Sequence, residues 1–138
     1  MNKKITFIGK GNAGCFGALH FSTYTNCEVE LIYDPEVPEE KVGQATVLEA
    51  PDLLWKGLGM NWYHNTIEAT PKFGVLYENW GKKKEPFFHP FSFNNTAVHY
   101  SPTKLQDAII NSGRFKVKKQ KINDTKEVDS DYIFDCME

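Results

Sequence analysis

No apolar run in the 138-residue sequence exceeds about five residues, too short for a membrane span or the core of a secretion signal. The chain is therefore expected in the cytoplasm, with no membrane partner. Charge of one sign is also missing. The 16 Lys and Arg against 18 Asp and Glu leave a net charge of -2, which offers no field to gather a nucleic acid. Cysteine is scarce: Cys15, Cys27 and Cys136 are odd in number and show neither a CxxC pair nor a nearby histidine, so no disulfide framework and no metal site is expected. Reduced, buried thiols are the reading. Internal repeats and low-complexity linkers are lacking as well, which leaves one domain over residues 1–138. Aromatic residues, by contrast, reach 14% and crowd between Trp55 and Tyr100. Such density suits either a large core or a pocket for flat ligands.

Lys4 to Gly9 is a short apolar run ending at glycine, as a buried parallel strand does. From Ala13, small and apolar residues at Cys15, Phe16 and Leu19, with His20, recur at three- and four-residue steps and predict a helix. A second strand follows over Glu28 to Asp34, closed by the Asp34-Pro35 turn. Strand, glycine turn, helix and strand within about thirty residues form a βαβ unit, here residues 1–50. Glu36 to Ala50 reads as an extended loop. In the aromatic-rich segment, 51–95, the residues 51–59 and 60–70 read as short helices broken at Gly57 and Gly59. Residues 72–80 and 87–93 read as strands, with Lys82, Lys83 and Lys84 as a solvated turn. In 96–138, Ser101 as N-cap, Pro102 at the first turn and Gly113 as stop frame a helix carrying Leu105, Ala108, Ile109 and Ile110. Residues 114–122 then read as a half-exposed strand and 131–136 as a final buried one.

Gly9-Lys10-Gly11-Asn12-Ala13-Gly14 has GxGxxG spacing, and the chemistry of a diphosphate asks for each glycine. The first allows the tight turn, the second lets backbone approach the phosphates, and the third lets the helix pack on the sheet. The helix start then offers its N–H groups and dipole to the anion. Asp34, twenty residues after Gly14, stands where a carboxylate accepts hydrogen bonds from a ribose. Tyr33 competes for that position, since a one-residue slip reverses a strand side chain. The motif serves NAD and FAD alike.

Residues 42–50, 58–80, 87–91 and the closing 131–136 resemble, in that order, the N-terminal part of the flavin-dependent halogenases of the tryptophan-halogenase group. Within the group the similarity is greatest to the viral, cyanophage-encoded members. The resemblance implies a Rossmann-like FAD-binding fold, incomplete at its C-terminal end because the family's chains are several times longer. It implies FAD as cofactor, supplied reduced by a separate flavin reductase, with a halide and an electron-rich aromatic as substrates. The family's GEAT loop against the flavin is matched by Gly43-Gln44-Ala45-Thr46, a glutamine replacing the charged glutamate. The family's catalytic lysine is matched by Lys72, ahead of Gly74, Leu76, Asn79 and Trp80. There an ammonium hydrogen-bonds and polarises hypohalous acid, or a desolvated amine forms a haloamine, so that the oxidant reaches an aromatic carbon.

Two departures qualify the expectation. The family ends this segment in a glycine beside the cofactor, whereas Asp135-Cys136-Met137 is followed by Glu138, whose Cβ and charge oppose a close backbone approach. The family's WxWxIP segment, catalytic glutamate and halide loop match nothing in these residues. Weak or no turnover by the 138 residues alone is therefore expected, with a second chain or self-association covering the open edge. A flavin hydroxylase, which has no use for Lys72, and a non-catalytic nucleotide-binding module are the rival readings. His89 and His99 read as core histidines satisfied by backbone, and Cys15 as packing.

Overall fold

The computed structural model describes residues 2–39, 42–93 and 95–137; Glu138, on which one expected clash falls, lies outside the described residues. The chain runs β1 (Lys4–Ile8), α1 (Asn12–Tyr24), β2 (Glu28–Tyr33), β3 (Gln44–Ala45), α2 (Ala50–Leu58), β4 (Thr70–Lys72), β5 (Gly74–Tyr77), β6 (Phe87–Pro90), β7 (Ala97–Tyr100), α3 (Pro102–Ile110), β8 (Lys116–Lys119) and β9 (Tyr132–Asp135). Strands β8, β2, β1 and β9 form one sheet in that order, all parallel. Counted as the first to fourth parallel strands of the chain, they stand 3-2-1-4, the opening order of a dinucleotide-binding sheet. The α/β, Rossmann-like class read from the sequence is the fold found.

The βαβ unit forms because β1 and β2 are apolar on both faces. Phe7, Ile8, Leu31 and Ile32 are all buried, and the two strands pair from Lys4 with Glu28 to Ile8 with Ile32. Helix α1 lays Gly14, Cys15, Ala18 and Leu19 on this sheet, the last three fully buried. Helix α3 adds Leu105 and Ile109, also fully buried, to the same core. Truncating Leu19 or Leu31 to alanine removes a side chain with no room to be replaced, at a cost of about 2–5 kcal/mol.

The second half departs from the sequence reading in several places. Residues 60–70 are not a helix. The Asn61 side chain accepts from the backbone N–H groups of Tyr63 and His64, and that of Asn65 accepts from Ile67 and Ala69, at 2.8–3.1 Å. Asparagine side chains thus take the amide protons a helix would use, which is how they break one. Gly57 does not break α2 but lies buried inside it, and the helix ends at Gly59. The strand expected over 72–80 is two: Lys72 ends β4, which pairs with β7, while β5 pairs with β6 as a hairpin. Strands β3 and β7 were unforeseen, and with β4 they make a separate three-stranded sheet, β3-β7-β4. Ser101 is the N-cap of α3 by position, yet its hydroxyl makes no capping bond. The final strand is not buried: β9 has β1 as its neighbour on one edge, leaving Tyr132 56% and Phe134 42% exposed although Phe134 stacks on Phe7 at 4.8 Å. His89 and His99 are exposed and not core residues, because β6 is solvent-facing throughout and His99 points off the outer face of β7. Of the thiols Cys15 is buried, while Cys27 and Cys136 are half-buried.

Candidate functional site

The strand order reverses between β1 and β9, and the carboxyl ends of the parallel strands open there on a crevice, as such switch points do. Gly9 leaves β1 with φ +112°, its N–H donating to the Ile32 carbonyl at 2.8 Å. A Cβ on Gly9 would stand 2.4 Å from the Cys136 carbonyl oxygen, so the backbone after β9 closes directly on the turn. Gly14 serves the other side: a Cβ there would stand 1.9 Å from the Gly9 carbonyl oxygen. Between them Gly11 is the N-cap of α1, with no side-chain cap and no acidic residue in the first turn. The first N–H groups of α1 are therefore left for an anion.

The crevice encloses about 290 Å³. Gly9, Lys10 and Gly11 form one wall, Tyr33, Asp34 and Glu39 a second, and Gln106, Gln120, Ile122 and Met137 the remainder. Tyr33 and Asp34 both reach it, and Asp34 Oδ1 also accepts from the Glu36 N–H at 2.9 Å. The Lys10 ammonium lies 5.5 Å from the centre of the Tyr33 ring and pairs with Glu39 at 3.0 Å. Ala13 is exposed and lines neither this crevice nor the groove beyond.

That groove, about 900 Å³ and open, runs between α1 and β3 along Asn12, Phe16, Gln44, Ala45, Thr46 and Tyr100. The Asn12 amide donates to Gln44 Oε1, and so does the Tyr100 hydroxyl at 3.4 Å. Thr46 is tied into the sheet: its N–H donates to the Val98 carbonyl at 2.8 Å, and its hydroxyl accepts from the Val98 N–H at 3.0 Å. The glutamine loop is thereby clasped to the start of α1. Asn12 Oδ1, buried at this junction, has no hydrogen-bond partner among the described residues. An open helix start, a glycine cradle and an orphaned buried acceptor suit a dinucleotide with an amide-bearing ring.

Lys72 stands apart. It pairs with Ala97, and Thr70 and Ala45 both pair with His99, so these residues share the outer face of the three-stranded sheet. Gln44 pairs with Tyr100 and faces inward. The sheet thus separates Lys72 from Gln44, with Lys72 and Ala45 two strands apart, roughly 10–15 Å by strand spacing. The Lys72 ammonium sits 5.8 Å from the centre of the Phe91 ring, and the residue is half-buried. It lines neither the crevice nor the groove.

Glu39, Gln106, Gln120, Lys121, Ile122 and Met137 escaped the sequence reading. Most lie on loops that only the fold brings to the strand ends. Gln106 alone left a trace, as a polar residue beside the apolar stripe of Leu105 and Ile109.

The model of the tryptophan halogenase family matches residues 4–126. A tryptophan 6-halogenase from Streptomyces toxytricini superposes with TM-score 0.77 at 13% identity, over 98% of this chain and 44% of that one. A tryptophan halogenase from Shewanella frigidimarina gives 0.74 at 15%, over 98% and 42%. A flavin-dependent halogenase from Xanthomonas campestris gives 0.71 at 15%, over 90% and 36%. The chain spans less than half the length of these proteins, and at such identities their likeness is one of fold. A search of curated proteins gives no match.

Proposed function

The chain belongs to the tryptophan halogenase family, and from that premise we propose that it holds FAD, the diphosphate over the Gly9–Gly11 turn and the flavin toward Gln44, Ala45 and Thr46. The observation that carries this is the crevice at β1 and β9, where the Cys136 carbonyl and the Gly9 carbonyl crowd the positions a Cβ would take. Lys10 supplies charge beside the turn, Asp34 or Tyr33 meets the ribose, and Asn12 and Gln44 set the loop that faces the ring. Bound reduced FAD supplies the oxidation of a halide by oxygen to hypohalous acid. Lys72 hydrogen-bonds that acid and directs its halogen to an electron-rich aromatic, the reductant arriving from a separate flavin reductase. Ala45 and Lys72 on one sheet face support such a passage.

By themselves the 138 residues turn over weakly or not at all, since the half-buried Lys72 lines neither the crevice nor the groove. The viral, cyanophage-type lineage and a cytoplasmic site are part of the same proposal. The exposed apolar side chains of the β5–β6 hairpin, among them Leu76, Trp80 and Phe88, support a second chain or copy covering that side. FAD titration followed by quenching of flavin fluorescence tests the reading. Saturable, stoichiometric binding is expected, and absence of binding would contradict it. Where turnover is assembled, Lys72→Met should abolish halogenated product and leave FAD affinity unchanged; hydroxylated product would favour the monooxygenase reading instead. The neutral Gln44 and the unenclosed Lys72 are what a non-catalytic nucleotide module would also have, and such a module yields FAD binding without product under any reconstitution.

A further inference from the structure

Two polar residues of the described chain are buried, Thr6 and Gln106. Thr6 is satisfied, its hydroxyl donating to Ser130 Oγ at 3.1 Å. Gln106 differs: it is 4% exposed, and among the described residues no hydrogen bond engages its side chain. Its amide atoms are not among the sealed, unpartnered polar atoms of the described residues, so they stay open to the crevice with donors and acceptor available there. The amide lines the crevice across from Gly9 and Gly11. Its position is fixed, because Leu105 and Ile109 on the same turn-spaced face of α3 are fully buried.

We propose that Gln106 is a ligand-binding residue of the crevice, its carboxamide reserved for the phosphate and ribose oxygens of a bound nucleotide. The chemistry fits an oxygen-rich ligand. Two N–H donors meet phosphate or hydroxyl oxygens, and the carbonyl accepts from a ribose hydroxyl. Being neutral, the group adds no charge beside the Lys10–Glu39 ion pair, so it selects by geometry while Lys10 selects by charge. The inference rests on the nucleotide reading of the crevice given above.

The test titrates ADP calorimetrically into the wild-type chain and into Gln106→Leu and Gln106→Met, and measures ligand-free thermal unfolding of all three. A hydrogen bond to a charged group is the interaction removed, so ADP should bind at least about tenfold more weakly to both variants. Their ligand-free midpoints should equal or exceed that of the wild type, a combination that a merely structural glutamine would not give. Unchanged ADP affinity in the variants overturns the inference and leaves the nucleotide site standing. Loss of ligand-free stability in both variants also overturns it, since the amide is then part of the fold. Failure of the wild type to bind ADP sinks the nucleotide reading itself, and this inference with it.

Discussion

Adding one methyl group at Gly14 and one at Gly57 should have unequal consequences, although both glycines are buried inside helices. Alanine gains roughly 0.5–1 kcal/mol over glycine in a helix interior, and this applies to both. The surroundings differ. At Gly57 the new Cβ would meet the tip of the Leu19 side chain at 2.8 Å, and a leucine tip can rotate aside. The gain and the repacking nearly cancel, so Gly57→Ala should lie within about 1 kcal/mol of wild type. At Gly14 the new Cβ would stand 1.9 Å from the Gly9 carbonyl oxygen, which is backbone and is anchored in the turn. Ordinary contact begins near 3.4 Å, so roughly 1.5 Å must open between α1 and the glycine turn. That lifts Cys15, Ala18 and Leu19 off Phe7 and Leu31, and an overpacked core of this kind loses about 2–4 kcal/mol net. For a domain of this size the loss lowers Tm by roughly 6–15 °C. Urea and thermal unfolding of the two variants beside wild type measure it. A Gly14→Ala chain as stable as Gly57→Ala would refute the claim that α1 and the turn are in backbone contact.

Other consequences follow from the ion pairs and thiols. Glu39→Gln should free the Lys10 ammonium and tighten ADP binding two- to fivefold at low salt, the range of an exposed pair. The gain should vanish in 0.5 M salt, and a gain that persists there would exclude the ion pair as its source. The Asp131 carboxyl is held below its ordinary value by the hydrogen bond from Lys3 and then by the Lys4 N–H. A depressed carboxyl stabilises the fold above the unfolded pKa of 3.8 and loses this as pH falls through the folded value. Asp131→Asn should therefore flatten the decline of the urea midpoint below about pH 4, and an unchanged acid limb would count against the pairing. Burial pushes the Cys15 thiol up from 9.0 to about 12, so its share of stability is present below pH 9 and is lost between pH 9 and 12. At pH 8 a thiol reagent should modify Cys27 and Cys136 in the native protein and leave Cys15 until the chain unfolds; equal rates would contradict its burial.

The parallel sheet was legible where the signal is local. KITFI is a short apolar run and EVELIY alternates apolar residues with Glu28 and Glu30, both of strand length and bounded by turns, and the glycines between them need a helix start to make sense. Pairing with β8 and β9, more than eighty residues away, has no local signal, and only the resemblance put the closing strand beside the others. Residues 60–70 misled because their apolar spacing suits a helix while Asn61 and Asn65 hold the competing hydrogen bonds. Strand β7 escaped notice because Ala97 and Val98 read as an ordinary approach to α3. Of the candidate residues, the glycine turn was read as a motif and Lys72 only through the family, while Gln106 left no more than a polar residue beside an apolar stripe and Glu39 nothing, since their meaning comes from which wall of the crevice they line.

A backbone NMR titration of the isotope-labelled chain with ADP tests the central claim most directly, because the claim is about where an anion sits. The account predicts saturable shifts concentrated at Gly9, Gly11, Asn12 and Ala13, with smaller ones at Tyr33, Asp34 and Gln120. Saturable shifts that leave these amides still and gather elsewhere, or no shifts at millimolar ADP, would contradict it.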